Sequence, residues 1–273
     1  MTEVRGEARR RGTPARGWVG DTIRAVVLTF LWLTLGFAAL AMRPAIGLTW
    51  IVLVTAAFIW YRVVRPVRRR DRRALRAFRL RPLYAPRPFL VLALPSLILA
   101  GIGTSLLLAE VADPEIAESP AWDLVDAYAA TPTGFAAVGL LIAVLGPLIE
   151  EFHFRGLMQR ALERRFGVPV AIVVTAAAFS LIHLHGWPWS LHPFVLGLFW
   201  GYAAHATGSI WAGVIMHSAW NGMLLIVGST VPGLPQPGHL PAAAVWVLPL
   251  ALIAGLVGFR KWYGMTMHGV RSQ

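Results

Sequence analysis

The chain has 273 residues, 57% of them hydrophobic and only 14% charged, against roughly 25% charged in a typical soluble domain. With a mean hydropathy of +0.62, this composition excludes an ordinary soluble domain and leaves a polytopic membrane protein. The absence of cysteine excludes disulfides, thiolate metal ligands and a cysteine nucleophile. The net charge of +12 does not point to nucleic acid, because nearly half of the basic residues crowd into one loop between apolar runs. Membrane topology accounts for that charge, and no nucleic-acid partner is expected.

In chain order, residues 1–20 form a flexible basic start carrying Arg5, Arg9, Arg10, Arg11 and Arg16. A basic start before an apolar run raises the reading of a secretory signal, with Ala39-Leu40-Ala41 as a nominal cleavage site. The run is too long for the ~7 to 15 residues of a signal's apolar region, and a second run follows at once, so a signal-anchor helix is expected. Apolar runs at 23–42, 45–64, 89–109, 134–158, 168–184, 191–206, 210–228 and 242–259 predict about eight transmembrane helices and an all-α fold. The expected organisation is N-terminal helices over 21–133, a four-helix core over 134–228, and a last helix with a tail over 229–273.

Between Arg62 and Arg87 the chain has eleven arginines against the single acid Asp71, whereas Glu110 to Asp126 carries six acids and no base. The excess of positive charge on cytoplasmic loops places the arginine segment in the cytoplasm. Eight spans then bring the basic start, the Arg160/Arg164/Arg165 segment and the tail from Arg260-Lys261 to the same face. The acidic loop and the Pro-rich stretch at 231–241 face outward. The expected location is therefore the cell membrane, with both termini cytoplasmic and the arginine segment lying on anionic lipid headgroups.

Three polar clusters interrupt the apolar runs of the expected core: Glu150-Glu151-x-x-x-Arg155, Phe179-x-x-x-His183 and His217-x-x-x-Asn221. A charged side chain near the centre of a membrane helix costs at least about 2.5 kcal/mol, so such groups need partners or a function. Glu151 and Arg155 are four apart, share a helix face and can neutralise one another. Glu150 points elsewhere, and its i+3 and i+4 neighbours are His153 and Phe154. A carboxylate without a cation of its own, facing a bundle, is the candidate general base for activating water. His217 and Asn221 stack on one face, so an imidazole and an amide can converge on one small ligand. His183 ends the fifth run with Phe179 packing one turn behind. His153 is read as packing, His185, His192 and His205 as near-terminal on their runs, and Gly197-x-x-x-Gly201 as a helix-packing motif.

Depth along the helices tests whether these clusters meet. Counted from a cytoplasmic turn near Phe166, Glu150 and His183 lie at about 24 and 26 Å, and His217 lies roughly 14 Å from a turn at Gly208, at 1.5 Å per residue. Glu150 and His183 therefore match. His217 matches only if the fourth helix bends, for which Pro147 and Gly156 are candidates, with Arg160 to Arg165 lying along the interface.

The three clusters in this order, opening with Glu-Glu-Phe-His-Phe-Arg-Gly-Leu and closing with Ser-Ile-Trp-Ala-Gly-Val-Ile-Met-His-Ser-Ala-Trp-Asn, resemble the CPBP intramembrane proteases. That family includes type II CAAX prenyl endopeptidases and bacterial proteins of bacteriocin processing and immunity. The resemblance covers Gly134 to Gly228 and implies hydrolysis of a peptide bond in a membrane-associated or lipid-anchored protein or peptide. It implies that Glu150 activates water, that His183 and His217 hold the water, a metal or the developing oxyanion, and that Asn221 stabilises the oxyanion. Glu151 and Arg155 then support the site. His183, His217 and Glu150 could form a three-ligand Zn²⁺ site with an open water position, but the helical His-Glu-x-x-His signature is absent. A metal-free site with Glu150 as base and His217 plus Asn221 as oxyanion donors is chemically coherent and is the favoured reading, with zinc kept as the alternative.

Two other function classes fit a membrane chain with buried ionisable groups. One is a scaffold or immunity factor that keeps the fold without cleaving anything. The other is a proton-coupled transporter, which predicts inverted repeats and paired broken helices, and neither is visible in the sequence.

Overall fold

The computed structural model describes residues 44–83, 89–111, 130–183 and 189–230 continuously, together with Trp187 and single positions within 20–38 and 250–264. The basic start, the 231–241 stretch and most of the acidic loop lie outside the described residues. Among the described residues every regular element is a helix.

Helix α1 begins at Pro44–Ile59 and runs through a π segment, Trp60–Val64, into Arg65–Arg68. Short α2 covers Arg72–Ala77. Helix α3 opens with a π segment, Phe89–Ala93, and continues as Leu94–Val111. Helix α4 is one unbroken run, Pro132–Phe166, followed by α5 (Val168–Leu181), α6 (Leu191–Thr207) and α7 (Ile210–Thr230).

Local signals fix these boundaries. Thr131 caps α4 by accepting a hydrogen bond from the Gly134 N–H at 3.1 Å, with Pro132 at the first helical position. Gly167 ends α4 at φ 83°, and Gly208 ends α6 at φ 63°, conformations that glycine adopts without steric cost. The Ser209 hydroxyl then accepts from the Trp211 N–H at 3.3 Å at the start of α7.

Helix α4 is long and apolar enough to cross a bilayer, whereas Val91–Thr104, Val168–Leu181 and Ile210–Ile226 are apolar but shorter. Its 35 residues correspond to roughly 50 Å, well beyond a ~30 Å hydrocarbon core. The segment expected to leave the helix and lie along the interface, Arg160 to Arg165, instead continues it to Phe166.

The distribution of side chains differs from that of a soluble protein: large apolar residues face outward while charged and polar groups join the apolar core. Val91, Leu99, Val144, Val170, Val173, Val174 and Leu181 are exposed, while Glu150, Glu151, Arg155, Gln159 and His217 are buried. A wide apolar exterior is the mark of a membrane-facing surface, and the polar interior is what a bilayer forces on groups that need partners. Helices α5 and α6 pack extensively against each other. A Cβ at Gly197 would stand 3.2 Å from Ala176 Cα, and one at Gly201 would stand 3.3 Å from Ile172 Cγ2, so these glycines let the two backbones approach. Of the expected first and last spans, the described positions include Trp32, which donates to Thr55 Oγ1 on α1 at 2.9 Å, and Gly255 and Gly258, which lie against Ser96 on α3.

Candidate active site

Helix α4 carries Glu150 and Glu151 on a short α-helical stretch, Gly146–Glu151, between two π segments, Leu140–Leu145 and Phe152–Met158. Pro147 explains part of this. In the first π segment the Gly146 N–H bonds to Leu141 O, so residue 147 should bond to Ile142 O, but proline has no N–H to give. The orphaned Ile142 carbonyl is instead satisfied from another helix by Asn221 Nδ2 at 3.0 Å. The sequence placed Pro147 and Gly156 as candidate sources of a bend. The structure puts a π segment immediately before the first and another through the second, a distortion common at functional sites.

Glu150 is 5% exposed, Glu151 and Arg155 0%, and His217 3%. Arg155 Nη1 donates to Glu151 Oε1 at 2.9 Å, and Arg155 Nη2 donates to the Gly197 carbonyl on α6 at 3.1 Å. The guanidinium carbon also lies 4.7 Å from the centre of the Phe179 ring and 5.5 Å from that of Trp200, within cation–π range.

From α7, the His217 imidazole enters between the two carboxylates. Its Nδ1 lies 3.3 Å from Glu151 Oε1, and its Nε2 lies 3.7 Å from Glu150 Oε2. Trp200 stacks on the imidazole at 4.0 Å between centroids and 17° between planes, while Phe179 meets it edge-on at 5.6 Å. These rings hold the imidazole plane in place. Opposite the carboxylate there is no spare room, because a Cβ on Gly213 would collide with the Glu151 side chain. With Arg155 neutralising Glu151, the Nδ1 contact favours a proton on Nδ1. That tautomer turns the Nε2 lone pair toward Glu150.

Glu150, Glu151, Arg155 and His217 thus meet, drawn from helices α4 and α7. His217 and Asn221 both face α4 but reach different groups there, the carboxylates and the Ile142 carbonyl. His183 lies in the turn just after α5, its Nδ1 2.7 Å from Phe179 O and its ring 4.6 Å from that of Phe179. Phe179 therefore touches both histidines. His153 packs against Phe58 at 5.2 Å and Phe152 at 5.8 Å between ring centres, as the sequence suggested.

A zinc ion would need Glu150, His183 and His217 to converge. Among the described residues no three His, Asp or Glu side chains form a group able to hold a metal ion, so this donor set, as placed, does not fit a three-ligand centre.

Sequence reasoning passed over Gln159, Glu163 and Arg79. Gln159 Nε2 donates to the Gly201 carbonyl at 2.9 Å and to Glu163 Oε1 at 3.0 Å. Glu163 is held by Arg79 Nη2 at 2.6 Å and lies 3.2 Å from His205 Nδ1. A signal for this was present: Glu151, Arg155, Gln159 and Glu163 repeat every fourth residue, one polar stripe along a helix.

Residues 132–223 match the family described as type II CAAX prenyl endopeptidase Rce1-like. This segment belongs to the CPBP/CAAX protease family. The match begins at the Pro132 start of α4 and ends two residues beyond Asn221, so it contains all three polar clusters. No curated protein and no solved structure matches the chain.

Proposed function

We propose that the chain is an intramembrane endopeptidase that hydrolyses a peptide bond of a membrane-associated or lipid-anchored protein or peptide, using water activated by Glu150. The observation that carries this reading is the buried imidazole of His217 lying between Glu150 and Glu151 inside the segment matched by a protease family. Glu151, fixed by Arg155, orients His217. Glu150 takes the proton of the attacking water as general base, and the proton passes to the leaving amine. His217, protonated on Nδ1, accepts a hydrogen bond from the attacking water at Nε2. His183 holds the water or the developing oxyanion, and the second N–H of the Asn221 amide is available to that oxyanion, the first being committed to Ile142.

The test is cleavage of a membrane-peptide library by the purified protein in proteoliposomes, read by mass spectrometry against a Glu150→Ala control. Discrete products made by the wild type and missing from the control are expected. A folded wild type that cuts nothing, with its cellular effect surviving Glu150→Ala, would replace the protease by a scaffold.

The topology belongs to the same proposal: a multi-pass protein of the cell membrane with cytoplasmic termini. Arg68, Arg69, Arg70, Arg72 and Arg76 are exposed, beside exposed Trp60 and Tyr61. The guanidiniums of Arg65 and Arg68 lie 5.0 and 5.6 Å from the Tyr61 and Trp60 ring centres. This pairing of aromatic and cationic side chains suits an interface of anionic headgroups. Because the chain has no cysteine, a single Arg70→Cys substitution reports its own side of the membrane. Labelling by an impermeant maleimide is expected in inverted vesicles and not in intact cells. Labelling of intact cells would reverse the assigned orientation.

A further inference from the structure

The turn at 78–81 precedes the described part of α3 and belongs to the arginine-rich segment, yet it is tied to α4 and α7, the two helices whose polar groups form the site. Arg79 is 4% exposed and adopts a left-handed backbone, φ 54°, which a side chain rarely takes up without being held there. Its Nη2 donates to both oxygens of Glu163 on α4, at 2.7 and 2.6 Å. Its carbonyl accepts the first N–H of α7, from Ile210, at 2.9 Å. Two residues on, the Arg81 carbonyl accepts from the Ser209 hydroxyl at 2.7 Å. Leu80 is buried with Val63, Phe152 and Ile210, so the turn is wedged between α1, α4 and α7. Burial lowers the pKa of the Arg79 guanidinium, and the hydrogen bond and charge of Glu163 oppose that shift.

From this turn, polar contacts lead back to the site in register. Glu163 meets His205, Gln159 meets the Gly201 carbonyl, and Arg155 meets the Gly197 carbonyl, each pair separated by 42 residues in the chain. Three rungs of equal offset, one per helical turn, fix how far α4 is advanced along α6. The rung nearest the site is Arg155, which also holds Glu151 against His217.

We propose that Arg79 is a positioning residue for the intramembrane site. Its clamp on Glu163, twelve residues and roughly 18 Å of helix beyond Glu151, sets the register of α4 against α6 and α7. It thereby sets the approach of Glu150 and Glu151 to His217. What the positioned groups do rests on the protease reading above, while the positioning itself rests on the contacts. A one-residue slip advances a helix by about 1.5 Å, enough to break the Nδ1 contact of His217, and misplacement of about 1 Å can cost on the order of 100-fold in rate.

The experiment compares wild type, Arg79→Ala, Arg79→Lys and the exchange Arg79→Glu with Glu163→Arg, in lipid. The first readout is the ¹⁵N resonances of the His217 imidazole, assigned by their loss in His217→Gln. The second is kcat and KM for a peptide found by library cleavage. Arg79→Ala is expected to shift the His217 resonances and to lower kcat by roughly 10- to 100-fold with KM little changed. Arg79→Lys and the charge exchange are expected to recover part of both. Unfolding midpoints identify variants that fail to fold, for which Arg79→Lys and the exchange remain informative.

His217 resonances identical to wild type in folded Arg79→Ala would overturn the proposal, whatever the activity. So would shifted resonances with unchanged kcat. If the wild type cleaves nothing yet its His217 resonances move in Arg79→Ala, the protease reading fails and the positioning role stands.

Discussion

Replacing Glu150 by glutamine is expected to reduce peptide cleavage by about 100- to 10,000-fold, the range that a positioned general base contributes, without unfolding the protein. The amide has nearly the volume of the carboxylate and fills the same buried position, so packing against α7 is retained. What is lost is the ability of the carboxylate, whose Oε2 lies 3.7 Å from His217 Nε2, to accept the proton of the attacking water. The measurement is kcat on the library-derived peptide in proteoliposomes, with thermal unfolding followed in the same preparations. Glu150→Asp, which keeps the carboxylate but withdraws it from His217, is expected to fall between the two. Wild-type kcat in Glu150→Gln would remove Glu150 from the chemistry and leave Glu151, the other carboxylate in contact with His217, as the base.

The second large effect is structural. Arg155→Leu is expected to destabilise the fold by about 3 to 5 kcal/mol, because it leaves the Glu151 carboxylate buried without its cation. Both partners are fully buried and 2.9 Å apart. The same substitution removes the bond to the Gly197 carbonyl and the contacts with Phe179 and Trp200. Adding Glu151→Gln is expected to restore part of the stability, since the isolated buried charge is then gone, while activity stays low because His217 has lost its carboxylate partner. Unfolding midpoints of the wild type, both single variants and the double variant in one detergent give the coupling directly. Additive losses would mean that the two side chains are stabilised separately.

The two variants distinguish roles that adjacent residues make easy to confuse. Glu150 and Glu151 are neighbours in the chain, but about 100° of helical rotation separates their side chains, and only Glu151 has Arg155 four residues on. His217 then contacts both, so the pair acts as one unit across two helices. Trp200 and Phe179 complete it from α6 and α5 by fixing the imidazole plane and lining Arg155.

Much of this was legible in the sequence, for a specific reason: a bilayer penalises every unpaired polar group, so a polar residue within an apolar run stands out. The four-residue spacing of Glu151 and Arg155 implied an ion pair, and the structure contains it. The Gly197 and Gly201 spacing implied close helix packing, and α5 lies against both glycines. The all-helical character followed from runs of apolar residues with no room for an edge strand in lipid. Depth counting left His217 mismatched with Glu150, yet the two meet, because their relative depth is set by how α4 and α7 pack against each other and not by the residue count from each turn.

By itself, then, the sequence determined the membrane setting, the helical class, the three polar clusters and the ion pair within α4, because periodicity and the cost of burying charge are local properties of the chain. Only the tertiary structure decided which clusters meet. It set His217 between the two glutamates, turned Asn221 to the carbonyl that Pro147 leaves without a donor, and joined Arg79 to Glu163 across 84 residues of chain. Each of those contacts pairs residues from different elements, and their geometry depends on the relative register of packed helices, which no spacing within a single helix specifies.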